Sequence, residues 1–170
     1  RTIIKYLDSQ IFTISQAFAA SSSYKFTLSS VSGLVAYLWI GLRPAARTAA
    51  NQTDFTVTNG VLNYDILDRS GHSISGSYPR TQREAKYIVY PQRSDNQMSL
   101  NTEAIFHPFC SDPTRSFRTG ANTGFHAFDG VNQFVLNTGG TFVPGNYELV
   151  VSARIYNHAI IEKNSIKRVN

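Results

Sequence analysis

Tyr147-Glu-Leu-Val-Val-Ser-Ala-Arg-Ile-Tyr-Asn-His-Ala-Ile-Ile161 decides how this chain is read. Tyr147, Leu149, Val151, Ala153, Ile155, Ala159 and Ile161 fall on one face of an extended backbone, and Glu148, Ser152, Arg154 and His158 fall on the other. The run is roughly twice the usual 5–6 residues of a strand. A closing strand of that length organises an antiparallel sheet around itself.

The segments before it carry the same signature. Gly139-Gly140 and Pro144-Gly145 are turns into the last strand. Upstream, residues 131–136, 125–128, 104–110 and 87–90 read as short strands. Residues 34–40 are apolar on both faces, as a strand would be between its sheet and a covering loop or subunit. Residues 24–28 alternate with Tyr24, Phe26 and Leu28 inward. Residues 3–6 and 11–14 give a first, interrupted strand. Residues 55–57 and the trio Leu62, Tyr64 and Ile66 read as a hairpin around Asn59-Gly60, a pair that supplies the positive φ of a type I′ turn. Helix is expected only at 44–51 and 80–85, short pieces inside connections.

Eight or nine strands with long connections at 43–54, 69–86 and 111–124 predict an all-β fold. The expected architecture is an eight-stranded jelly roll, two Greek-key sheets packed as a β-sandwich, with short helices in its loops. An immunoglobulin-like sandwich is shorter and would place cysteines around a tryptophan, which this chain does not do. The 170 residues suit one domain, 1–170, with a sizeable core. The chain opens at Arg1 directly into a strand pattern, so the domain is expected to be a fragment or the second barrel of a longer polypeptide.

Charged residues make up 16% of the chain, against about 25% in ordinary soluble domains. Together with 12% aromatics, that points to a surface partly covered by other subunits. The net charge is +5, and 11 of the 16 basic residues are Arg, the side chain of bidentate interface contacts. Arg80, Arg83, Arg115 and Arg118 fall in long connections, and Lys163, Lys167 and Arg168 in a weakly basic tail. No concentrated basic stripe of the nucleic-acid-binding type is present. The longest apolar run, 34–42, is far short of the about 20 residues of a membrane span.

Chemistry has little to rest on. His72, His107, His126 and His158 sit in separate segments, and no Gly-Xaa-Ser-Xaa-Gly elbow or phosphate-binding loop occurs. Cys110 lies three positions from His107 on one expected strand, so the two point to opposite faces, and the cysteine reads as a small buried hydrophobe. A single cysteine permits neither an intrachain disulfide nor a cysteine-based metal site. Asp65, Asp68, Asp112 and Asp129 could touch a loop calcium but are also ordinary turn residues. Asn51-Gln52-Thr53 matches a glycosylation acceptor. Tyr37 and Trp39 could make a sugar-stacking platform, although their place inside an apolar run favours core or interface. No cofactor, metal, small-molecule substrate or enzymatic activity is expected.

Ala104-Ile-Phe-His-Pro-Phe-Cys-Ser-Asp-Pro113, followed by Gly120-Ala-Asn-Thr-Gly124, Phe128-Asp-Gly130 and the closing strand with Ala153-Arg-Ile-Tyr-Asn157, resembles major capsid proteins of the double jelly-roll lineage. These are the shell proteins of tectiviruses, adenoviruses, virophages and large DNA viruses. The opening Arg1-Thr-Ile-Ile-Lys-Tyr6 also looks like the first strand of such a barrel. The resemblance implies a structural protein of the virion, assembled inside the host cell, with homotrimers forming pseudo-hexameric capsomers. Its partners would be itself and other capsid proteins, with an underlying membrane or genome met through the basic loops. The expected interface residues are Val150, Arg154, Tyr156 and Ile160 on the outward face of the last strand, with Arg80, Arg83, Arg115 and Arg118 at the barrel ends. The alternative is a jelly-roll binding module, a spike head or carbohydrate-binding domain, using the loop aromatics Tyr78, Phe117 and Phe125.

Overall fold

The computed structural model describes residues 2–75, 104–110, 124–162 and 165–169. They form β1 (Thr2–Phe18), β2 (Ser23–Thr27), β3 (Ser32–Pro44), a 3₁₀ helix (Thr56–Gly60), β4 (Val61–Leu67), β5 (Ile105–Pro108), β6 (His126–Asp129), β7 (Gln133–Thr138), β8 (Gly145–Glu162) and β9 (Ser165–Val169). The larger sheet runs β1-β8-β3-β5, with β6 also on β3 and β9 on β8; the smaller runs β2-β7-β4. All pairings are antiparallel. β1 pairs with β8, β2 with β7 and β3 with β6, the order of one long hairpin wound so that successive pairs fall in opposite sheets. That winding is the jelly roll.

Between the sheets lies one apolar layer. The alternation of the last strand holds there: Leu149, Val151, Ala153 and Ile155 are all buried. Leu38, Ile40 and Leu42 of β3 join them from the larger sheet, and Phe26, Tyr64, Ile66, Phe134 and Leu136 face them from the smaller one. Each fully buried side chain of this kind contributes about 1.5–3 kcal/mol relative to exposure. The corner between the sheets is tied by Thr138, whose hydroxyl donates to the Ala19 carbonyl at 2.6 Å and accepts from the Ser22 amide at 2.9 Å.

Four expectations are corrected. β1 is not interrupted. Its 17 residues pair with β8 without a slip, from Thr2 opposite Ile161 to Phe18 opposite Gly145, so the polar stretch at 8–10 is carried across by the ladder. The hairpin around Asn59-Gly60 does not form. Thr58 is fully buried, and its hydroxyl accepts from the Leu42 amide at 2.8 Å, which draws 56–60 into a 3₁₀ turn that satisfies the backbone near the end of β3. Leu62 points outward and is 58% exposed while Val61 and Tyr64 are buried, because the β4–β7 register shifts between Val61 and Asn63. The helix expected at 44–51 is absent: the chain there bends and turns, with Asn51 accepting from the Thr48 amide at 2.6 Å and donating to the Ala46 carbonyl. The expected strand 87–90 and helix 80–85 lie outside the described residues.

Candidate subunit interface

The outward face of the larger sheet is where β8 carries the residues expected to meet a partner, and its two ends differ. At the end near residue 148 the sheet is closed by the chain itself. Arg43 donates from Nε to Glu148 Oε2 at 2.6 Å and from Nη1 to the Gln52 carbonyl at 3.2 Å, and Arg47 approaches the same carboxylate at 3.8 Å. The guanidinium of Arg43 also sits over the Phe55 ring, 5.8 Å from its centroid. Phe55 in turn packs edge-on against Trp39 at 4.7 Å. Gly41 makes this closure possible, since a Cβ there would lie 2.5 Å from the Phe55 ring. Val150 stands directly across the ladder from Gly41 and is only 8% exposed. It belongs to the inside of the chain's own surface layer and offers a partner little area.

The other end is open. Arg154 is exposed, flanked by Ser9 of β1 and Tyr37 of β3. Tyr156 is half-buried between Leu7 and Leu34, and Leu34 is 40% exposed. Ile160 is half-buried beside Ile3, which is 56% exposed. Ile11, opposite Ser152, adds a further exposed side chain at 58%. The structure therefore gathers Arg154, Tyr156 and Ile160 with Ile3, Leu7, Ile11 and Leu34 into one stripe. The last four were not singled out from the sequence. Their signal was the pairing of the first strand with the last, which a single sequence does not display.

Arg80, Arg83, Arg115 and Arg118 lie outside the described residues, as do Tyr78 and Phe117; Phe125 is 41% exposed. Tyr37 and Trp39 are half-buried, packed on Phe106 and Phe55 rather than presented as a bare platform. His107 is buried, and its Nδ1 lies 3.1 Å from the Tyr64 hydroxyl, an interior contact joining the two sheets. Cys110 is half-buried just beyond β5. Asp112 lies outside the described residues, and the other three aspartates hold local turns. Asp65 accepts from the Ser73 and Ser75 hydroxyls, both at 2.6 Å, and Asp129 accepts from the Val131 amide. The Asp68 carboxyl accepts from the His72 amide, which holds it below the ordinary carboxylate range.

Two wound sheets, with polar side chains of the described residues spent on turns, define a jelly-roll domain. No family model matches the sequence, and no curated protein matches it. Solved structures do. The chain superposes over its whole length on the subunit of a quasi-atomic model of the PBCV-1 virus capsid, with a TM-score of 0.60 and 13% identity, covering 52% of that chain. PBCV-1 VP54, fitted into a reconstruction of the virophage Sputnik, gives 0.61 and 14% over the same shares. The Faustovirus major capsid protein gives 0.59 and 15%, over 95% of this chain and 34% of that one. The fold is thus the jelly roll of these capsid proteins, and the chain spans about half the length of the two PBCV-1 chains.

Proposed function

We propose that this chain is a structural subunit of an icosahedral viral capsid, one jelly-roll barrel of a longer major capsid polypeptide that self-assembles into trimeric, pseudo-hexameric capsomers. The observation that carries the proposal is the similarity of fold, over the entire chain, to virus capsid proteins at TM-scores of 0.60 and 0.61. Coverage of about half of each PBCV-1 chain fits one barrel of a two-barrel subunit. The low charge content and the open apolar stripe around Tyr156 fit a surface meant for neighbours. On this reading the protein resides in the virion, works by geometry without turnover, and meets other capsid proteins, and a membrane or genome, through its basic loops.

The test is the size of the purified chain by light scattering, with electron microscopy of concentrated samples. Trimers or hexagonal arrays are expected. A strict monomer that binds a defined glycan tightly would replace the capsid reading with the binding-module one. Contacts made by exposed arginines would weaken at ~1 M salt, where the Debye length is about 3 Å. Assembly should then loosen while the melting temperature of the domain hardly moves.

A further inference from the structure

Along the outward face of β8, apolar and cationic levels alternate. Ser152 stands between Ile11 and Trp39, Tyr156 between Leu7 and Leu34, and Ile160 beside Ile3. The intervening levels carry charge: Arg154 stands between Ser9 and Tyr37, and His158 beside Lys5. These two levels are four residues apart, about 14 Å along an extended strand, and the ladder from 152 to 160 is about 27 Å long. Arg154 and Lys5 are exposed, and neither has an anionic partner among the described residues.

The described carboxylates of this face lie at its margins. Glu148 is held by Arg43 and Arg47 at the closed end, Asp129 of β6 is 3.7 Å from Arg69, and Glu162 is exposed beyond the last pair of β8 with β1. The middle of the stripe is therefore positive as well as apolar. A second copy offering the same face would bring positive to positive, so contact of this face with itself is weak. A bilayer fits poorly too. On a membrane-docking surface the apolar side chains enter the acyl layer and cations ring them at headgroup height. Arg154 instead lies on the central strand, with Ile11 to one side along the ladder and Leu7 and Leu34 to the other. Sinking those side chains would sink the guanidinium with them.

We infer that this face docks an acidic polypeptide surface, one that sets carboxylates about 14 Å apart between apolar side chains. On a facing β-strand that spacing is four positions, with an apolar residue midway and another beyond each carboxylate. Packed sheets lie about 10 Å apart, a gap that arginine and lysine side chains span, and a guanidinium takes a carboxylate through two parallel hydrogen bonds. The apolar levels keep water from the ion pairs, and the charges fix the register. A phosphate backbone would satisfy Arg154 and Lys5 but leave Ile3, Ile11 and Leu34 in water. The inference deepens the capsid reading by stating the chemistry of a neighbour. It rests on that reading for there being a neighbour in the shell, and its test does not depend on the size of any assembly.

The probe is a cyclised β-hairpin peptide whose one face presents Leu, Glu, Leu, Glu and Leu at alternate positions, preorganised so that little ordering is lost on binding. It is titrated to about 1 mM against the 170-residue chain, with the fluorescence of Trp39, the chain's one tryptophan, as the readout. Wild type should bind the glutamate peptide, less tightly at ~1 M salt, and should bind a peptide with Lys in place of Glu at least about tenfold more weakly. Arg154→Glu and Lys5→Glu should each weaken the glutamate peptide about tenfold, and the double variant should prefer the lysine peptide. Both positions are exposed, and circular dichroism verifies that each variant is folded. Equal binding of the two peptides, or no binding of the glutamate peptide, overturns the inference. Tighter binding to phosphatidylserine vesicles or to single-stranded DNA than to the glutamate peptide also overturns it. Each of these results leaves the capsid reading intact, since that reading stands or falls on assembly size.

Discussion

Residues 149–155 and 157–161 belong to the same strand, pair with the same β1 neighbour and share one alternation of side chains, yet the core-side residues are buried only in the first stretch. The difference is made by the layer above. Where the smaller sheet lies opposite, Leu149, Val151, Ala153 and Ile155 become core; where it stops, Ala159 and Ile161 remain partly in water. Backbone pairing sets how far a strand runs, and packing sets where the protein ends.

Substitutions on the two sides of that boundary should behave differently. Phe134→Ala removes a fully buried ring from the middle strand of the smaller sheet and should cost about 4 kcal/mol, read from denaturant unfolding. Arg43→Ala should cost about 3 kcal/mol, because it leaves the nearly buried Glu148 carboxylate with only the more distant Arg47 and uncovers the Phe55 ring. Ile161→Ala, beyond the last buried residue of β8, should cost under about 1 kcal/mol. If Ile161→Ala destabilised the protein as much as Phe134→Ala, residues 157–161 would be part of the core and the comparison would fail.

A smaller, pH-dependent effect belongs to the closed end. The Asp54 carboxylate accepts from the Thr56 hydroxyl at 2.6 Å and the Thr56 amide at 3.0 Å, which holds its pKa below the ordinary range. A depressed folded-state pKa means the contribution is fully present above the unfolded value and is lost as pH falls through the folded one. Melting temperatures of wild type and Asp54→Asn should therefore differ slightly at neutral pH and converge in acid. A gap that widened in acid would contradict this assignment.

Much of the architecture was legible because it rests on local alternation. The face assignment of β8 and the inward set Phe26, Tyr64 and Ile66 follow directly from period-two patterning. What escaped depends on contacts distant in sequence. Asn59-Gly60 has the composition of a tight hairpin, but the Thr58 hydroxyl finds Leu42, sixteen residues away, and that buried bond outweighs the local preference. Leu62 looked inward by counting, and a bulge reversed it. Val150 looked like an outward apolar residue awaiting a partner, yet it is only 8% exposed, standing across the ladder from Gly41, whose missing side chain leaves room for the Phe55 ring. Ile3, Ile11 and Leu34 join the open stripe only through pairing between the first, third and last strands.

Amide hydrogen exchange followed at low and high protein concentration tests the central claim most directly, because it reports both stretches of β8 in one experiment. In dilute solution the amides of 149–155 should be strongly protected and those of 2–6 and 157–161 should exchange much faster. On concentration, protection should rise around Tyr156 and Leu34 on the outward face while the smaller sheet stays unchanged. Equal protection along all of β8 in the monomer, or protection gained only on the smaller sheet, would contradict the account.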